Sequence, residues 1–249
     1  MRVKLKIPLI CCVLVALLGP VTLLRAGGGG GGGKSSKSTG SRKSAAKAAF
    51  QEEVTALYEQ IDLKEAGLSR KAFEYALKGY TYLLEHHRLG RTNILSICDL
   101  SQSSRNKRLY IVDLEQRVVL LNTYVAHGRN SGKEYANAFS NNPSSHKTSL
   151  GFYVTEDTYF GSNGLSLKIC GMERGFNDRA NGRNIVIHGS EYVGPDFLRM
   201  NSYTGRSYGC PAVPADETES VIDAIKGGSC LFIYHPTKKY ISRSKILND

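Results

Sequence analysis

Two blocks within residues 183–213 decide how this chain reads: Arg183-Asn-Ile-Val-Ile-His188-Gly-Ser190, and then Gly205-Arg-Ser-Tyr-Gly-Cys210-Pro-Ala-Val213. The first is an apolar run of strand type that ends in His188, with glycine directly behind it. The second is a tight turn, because Ser207, Gly209 and Pro211 resist any regular element. Cys210 thus stands on a turn 22 residues after His188. A thiol of ordinary pKa, about 8.5, is only a few per cent ionised at neutral pH, so a nucleophilic cysteine needs an imidazole to take its proton. A histidine at a strand end and a cysteine on an adjoining turn supply that pair. The N–H groups of Tyr208, Gly209 and Cys210 are placed to converge on an oxyanion. Residue types alone leave a second reading open, a buried structural cysteine in a turn.

Outward from these blocks the β texture continues. Leu109–Asp113 and Val118–Ala126, separated by the polar segment Leu-Glu-Gln-Arg, read as a hairpin. Gly151–Thr155, Leu165–Ile169, Asn184–His188 and Leu231–Tyr234 read as further strands, with Gly-, Asn- and Ser-rich loops between them, the longest from Gly128 to Ser149. One helix interrupts the series: Asp216 and Glu219 form a candidate capping box, Val221, Ile222 and Ile225 its buried face, and Gly227-Gly228 its end. Residues 93–249 therefore read as a β-rich domain with a late helix. Before it, residues 49–92 read as a helical hairpin packed on that domain. Phe50, Val54, Leu57 and Ile61 recur at helical spacing. A second helix begins after Ser69 as N-cap, with Phe73, Leu77, Tyr80 and Leu84 on one stripe and Ala76, Leu83 and His87 beside it.

The composition is globular, 41% hydrophobic and 22% charged, which excludes a wholly disordered or fibrous chain. The formal net charge of +11 suggests nucleic acid until it is located. Nine of the 33 Lys/Arg lie in residues 1–48, which hold no Asp or Glu, leaving 24 basic against all 22 acidic side chains in the rest. The remainder is nearly neutral, so no phosphate-tracking groove and no nucleic-acid partner is implied. Residues 1–26 have a basic head, an apolar run from Ile7 to Leu24 and then Arg25-Ala26, the order of a bacterial secretory signal, with an uncleaved membrane anchor as the alternative. Either way the rest is exported. Residues 27–48, rich in Gly, Ser and Lys, read as a flexible linker.

The pairing of His188-Gly189 with Ser207-Tyr208-Gly209-Cys210 resembles the catalytic motif of the L,D-transpeptidases of bacterial cell walls. Residues Gly205–Ala212 look like the murein L,D-transpeptidase catalytic domain branch. Thr148-Ser149-Leu150-Gly151-Phe152-Tyr153 is similar to the Thr-Pro-x-Gly-x-Phe stretch of that family. The resemblance spans about residues 94–240. It implies an α+β fold, a mainly β L,D-transpeptidase-like catalytic domain preceded by the N-terminal helical hairpin. It also implies acyl transfer on peptidoglycan stem peptides in the cell envelope, most simply the periplasm. In that reaction Cys210 is the nucleophile and His188 the base, Ser207 braces the turn or His188, and Tyr208, Gly209 and Cys210 form the oxyanion hole. Arg206, Gly189 and Tyr153 are the expected substrate contacts. The thioester then meets an amine, giving a 3-3 crosslink, or water, giving an L,D-carboxypeptidase. No cofactor or metal is implied, a monomer is expected, and carbapenems acylate this family. The chain departs from the commoner pattern at Tyr208, where many members have His, at Ser149 in place of proline, and at Pro211-Ala212.

The remaining residues favour plainer roles or weaker rivals. His86 and His87 lie near a helix C-terminus, His127 heads a second His-Gly pair with no Gly-Cys turn at comparable distance, His146 lies in a loop and His235 ends the last strand. No zinc spacing emerges among them. Cys98, Cys170 and Cys230 sit in or beside apolar strands and read as buried thiols. A sortase needs an arginine on the strand soon after its cysteine, and the next here is Arg243. A papain-like peptidase would pair Cys210 with His235, but Pro211 and Pro214 intervene before the helix that should come after the cysteine. A catalytically silent wall-binding module is the reading from another class.

Overall fold

The computed structural model describes residues 38–249, with side chains from residue 42. The expected leader 1–26, with Cys11 and Cys12, lies outside the described residues. The chain divides into two units, residues 1–41 and 42–249. Helix α1 (Ser38–Gln60) begins inside the stretch expected to be a flexible linker. Ala45, Ala46, Ala48 and Ala49 explain this, since alanine is the best helix former and needs no burial to hold the conformation. Residues 42–49 are solvent-exposed. Among the described residues no helix is long and apolar enough to cross a membrane.

After α1 come α2 (Arg70–Glu85), β1 (Ile94–Asp99), β2 (Leu109–Asp113), β3 (Val118–Thr123), β4 (Gly151–Gly161), β5 (Gly164–Gly171), β6 (Val186–Ser190), α3 (Pro195–Met200), β7 (Ala212–Pro214), α4 (Thr218–Ile225), β8 (Cys230–Tyr234), α5 (Lys238–Arg243) and α6 (Lys245–Asn248). The strands form one mixed sheet in the order β3-β2-β1-β8-β4-β5-β6-β7. The β1/β8 and β6/β7 pairs are parallel and the others antiparallel. The fold is α+β and sheet-dominated, as the sequence implied.

The first two helices pack on each other and on the sheet. Ser69 caps α2, its hydroxyl accepting from the Ala72 amide at 3.1 Å. The Tyr58 and Phe73 rings meet across α1 and α2 with centroids 6.0 Å apart. Leu84, expected on the buried stripe, is exposed, and Leu83 takes its place in the core. The buried face Phe73, Ala76, Leu77, Tyr80 and Leu83 joins a single hydrophobic cluster with β1, β4 and β8. β1 and β8 are buried along their whole length, as befits central strands covered on both faces. Phe152 of β4 stacks on Phe232 of β8 with centroids 4.1 Å apart, directly beneath Gly79 of α2. On the opposite face, Thr155 donates to the Ile225 carbonyl at the end of α4 and accepts from the Ser229 amide.

Three further differences from the sequence reading have local causes. β4 runs on to Gly161, because Thr158, Tyr159 and Phe160 pair with β5 in a projecting hairpin. The capping box at Asp216/Glu219 does not form: α4 starts at Thr218, and its N-cap Glu217 makes no side-chain bond. Asp216 lies in the preceding 3-10 turn. Strand β7 contains Pro214, which removes an N–H and argues against a strand, but β7 is an edge strand where proline is tolerated.

Gly79 is a packing residue. A Cβ there would lie 1.9 Å from Phe152 Cζ. Gly79→Ala is expected to lower stability by about 1–3 kcal/mol through overpacking, outweighing its gain of about 1 kcal/mol in helix propensity. Urea denaturation checks this, and a stabilised variant would show that α2 does not press on the Phe152/Phe232 stack.

Candidate active site

His188 sits on β6 between two neighbours, opposite Ser166 of β5 and opposite Ala212 of β7. Its ring is buried, and its Nδ1 lies 2.9 Å from the carbonyl oxygen of Gly189. A carbonyl only accepts, so a neutral imidazole in this position carries its proton on Nδ1 and keeps a lone pair on Nε2. Gly189 itself is filled from behind: a Cβ would lie 2.0 Å from Thr218 Oγ1.

The parallel β6/β7 pairing brings the cysteine turn to the same strand. The Cys210 thiol accepts from the Val186 amide at 3.5 Å and donates to the Asn184 carbonyl at 3.6 Å. Thiol and imidazole therefore address positions two residues apart on one strand, each hydrogen-bonded to backbone and not to the other. Ser207 shapes the turn. Its hydroxyl donates to the Cys210 carbonyl at 2.6 Å and accepts from the Gly209 amide at 3.0 Å. Gly209 has φ +131°, and a Cβ there would lie 3.0 Å from both the Lys147 carbonyl and Ile185. Only glycine passes through that gap.

The far side of the turn is held by residues 126–129. The Ala126 amide donates to Ala212 O at 2.8 Å, Ser207 N to His127 O at 3.1 Å and Arg129 N to Ser207 O at 2.8 Å. Thr148 joins both sides, its hydroxyl accepting from Gly128 N at 2.9 Å and donating to Gly209 O at 3.3 Å. Behind this wall lies Arg108, wholly buried, donating to Val125 O and Gln102 O and, from Nη2, to His127 Nδ1 at 2.8 Å. Burial and the adjacent Arg108 charge pull His127 down to about 3, so it stays neutral and serves as the acceptor.

Arg183 is the cation nearest the turn's underside. Its guanidinium donates to Ser140 O, Ser149 Oγ, Ser145 Oγ and Lys147 O. Its Nη2 lies 3.2 Å from where a Gly209 Cβ would be. Burial pushes the Cys210 thiol above the usual cysteine range, while the Val186 amide and the Arg183 charge oppose that rise. Cys98 is pushed further, to about 12, and Cys230 likewise rises, both by complete burial. All four described cysteines are free thiols.

A family model described as the L,D-transpeptidase catalytic domain matches residues 64–234, more than half of the chain and inclusive of α2, β6 and the cysteine turn. The chain belongs to this family. Solved structures similar to this L,D-transpeptidase-family chain include an L,D-transpeptidase from Mycobacterium smegmatis, at 11% identity and a TM-score of 0.36 over 57% of this chain and 59% of that one. Another, from Xylanimonas cellulosilytica, is similar at 17% identity and a TM-score of 0.33 over 57% and 60%. Bd1075 of Bdellovibrio bacteriovorus is similar at 16% identity and a TM-score of 0.37 over 57% and 48%. The chain thus spans about three fifths of the length of the first structures it matches. No curated protein matches it.

Within this L,D-transpeptidase-family chain the expected site residues separate. Cys210, His188 and Ser207 lie together, and Ser207 bonds within the turn and not to His188. Of the expected oxyanion donors, Gly209 is corrected: its amide is engaged by Ser207 Oγ, whereas the Cys210 amide faces its own sulfur. Tyr153 is no substrate contact, being wholly buried with its hydroxyl on Ser149 O at 3.0 Å. Gly189 is partly exposed, with Thr218 packed where a side chain would stand. Arg206 is tied to the Arg129 and Gly132 carbonyls at 3.2 and 3.0 Å. His235 stands at the end of β8, with β4, β5 and β6 between it and β7 in the sheet order. Arg183, Arg108 and Thr148 went unassigned by sequence reasoning; only Thr148 carried a cue, as the first residue of the Thr-Ser-Leu-Gly stretch.

Removing the Arg183 charge frees burial to act alone on the thiol. In Arg183→Met the pH midpoint for alkylation of Cys210 by iodoacetamide, read by peptide mass mapping, is expected to move upward. Arg183→Lys should recover part of the shift. An identical midpoint in all three proteins would remove Arg183 from the thiol's electrostatics.

Proposed function

We propose that this chain is a cysteine-dependent L,D-transpeptidase that cleaves the bond between the diamino acid and D-alanine of a peptidoglycan stem tetrapeptide and forms 3-3 crosslinks. The observation that carries the reading is the single strand β6, which carries His188 at its middle and against whose start the Cys210 thiol rests, in a chain of this catalytic-domain family. Because burial raises the thiol, the proton has to leave as attack begins, and His188 Nε2 has the free lone pair to receive it. The Cys210 sulfur then bonds the L-centre carbonyl carbon, and the oxygen takes the charge towards the Tyr208 and Cys210 amides. Collapse breaks the C–N bond, His188 returns its proton to the departing D-alanine amine, and a thioester remains on Cys210. An amine of a second stem attacks that thioester, giving a proton to His188; the C–S bond breaks, His188 returns the proton to the Cys210 sulfur, and the new amide closes the crosslink.

Water in place of the amine makes the same machinery an L,D-carboxypeptidase. Residues 1–26 have the residue order that carries a chain to the bacterial envelope, where its stem-peptide substrate lies.

Mass spectrometry of the full chain with disaccharide-tetrapeptide tests this. A 3-3 dimer or a tripeptide is expected, absent in Cys210→Ala and reduced at least about a hundredfold in His188→Ala. The dimer names an amine acceptor and the tripeptide names water. Wild-type turnover in His188→Ala would sink the pairing, and unchanged tetrapeptide with every protein would favour the silent wall-binding reading.

A further inference from the structure

A cavity of about 650 Å³ opens beside the cysteine turn, lined by Arg129, Asn130, Tyr203, Thr204 and Arg206 among others, with no Asp or Glu in its wall. It is continuous with the site through the chain itself. The Arg129 amide donates to Ser207 O, and the Arg129 guanidinium lies 5.2 Å from the ring centre of Tyr208, two residues before Cys210. Arg206 is fixed by the Arg129 and Gly132 carbonyls and by the Tyr203 ring 5.7 Å away. The ion pairs among the described residues are Lys71–Glu74, Arg199–Asp196 and Lys226–Asp223, so neither of these two guanidinium groups is neutralised by a carboxylate. Two planar guanidinium groups beside a cavity with no carboxylate in its wall make a ready fork for an anionic ligand.

We infer that this cavity binds a carboxylate of the acyl-donor peptide, held between Arg129 and Arg206 while Cys210 attacks the neighbouring carbonyl. The inference rests on the peptide substrate proposed above. Two carboxylates share the required chemistry, the C-terminal one of the leaving residue and the side-chain one of a dicarboxylic diamino acid. Guanidinium forks bind either in the same bidentate manner. Arg206 is the anchored wall of the site and Arg129, exposed and free of side-chain hydrogen bonds, is the arm that closes on the ligand.

Calorimetric titration of the full chain carrying Cys210→Ala separates binding from turnover. The probes are a stem tetrapeptide whose diamino acid bears a side-chain carboxylate, the same peptide amidated at the C-terminus, and the same peptide amidated at the side chain. One amidation is expected to weaken binding by at least about tenfold, and it names the carboxylate. Adding Arg129→Gln should weaken the free peptide by a similar factor and abolish the difference between free and amidated forms, whereas Arg129→Lys keeps part of it. Equal binding of all three peptides, unchanged discrimination in Arg129→Gln, or no binding of any peptide would each overturn the inference. Turnover of the free peptide by the unsubstituted chain is measured alongside. Turnover with carboxylate-blind binding sinks the cavity's role and keeps the activity; Arg129-dependent binding without turnover sinks the activity and keeps the cavity.

Discussion

The cysteine turn has to pass between two walls of backbone, β6 on one side and residues 126–129 on the other, and Gly209 is the point at which it passes. That constraint orders the rest of the site. With no side chain at Gly209, the Lys147 carbonyl and Ile185 close to within 3.0 Å of where a Cβ would sit. Two hydroxyls then fix the turn, Ser207 from within and Thr148 from the long 128–149 loop. Each such bond contributes only about 1 kcal/mol net, but leaving its buried partners unpaired costs more, so the set behaves as a unit.

Charge around the turn is arranged under the same demand that buried groups find partners. Arg108 and Arg183 are a buried and a half-buried cation whose hydrogen bonds go to carbonyls, serine hydroxyls and a neutral imidazole, with no carboxylate among them. Such cations hold polar loops in place, and Arg183 also opposes the desolvation that burial imposes on the thiol. The ion pairs among the described residues, by contrast, are i,i+3 contacts near helix surfaces and contribute little to the fold.

Much of this was legible in the residues. Alternation and apolar runs gave β2, β5 and β8 within a residue or two, and Ser69 announced α2 through the cap that it forms. The His-Gly and Ser-x-Gly-Cys blocks pointed to one site because strand pairing joins them. What stayed hidden depends on direction and depth. Tyr153 sits in a stretch that looks like a substrate wall, yet the start of β4 is covered on both faces and buries Tyr153 as it buries Phe152. The Gly209 amide could not be known to be engaged until Ser207 was seen to fold back on it. Arg108 drew no assignment from the sequence and is wholly buried.

Of the four described thiols, Cys210 is the one held against the strand that carries His188. Cys98 and Cys230 are buried and shifted far from ionisation, and Cys170 lies on β5 away from His188's paired neighbours. Acylation of the full chain by a carbapenem, with peptide mapping of the adduct, puts this selectivity to the test in a single experiment. One adduct is expected, on Cys210, formed slowly when His188 is replaced by alanine. An adduct on Cys170, or equal labelling of several cysteines, would show that the turn does not select the thiol.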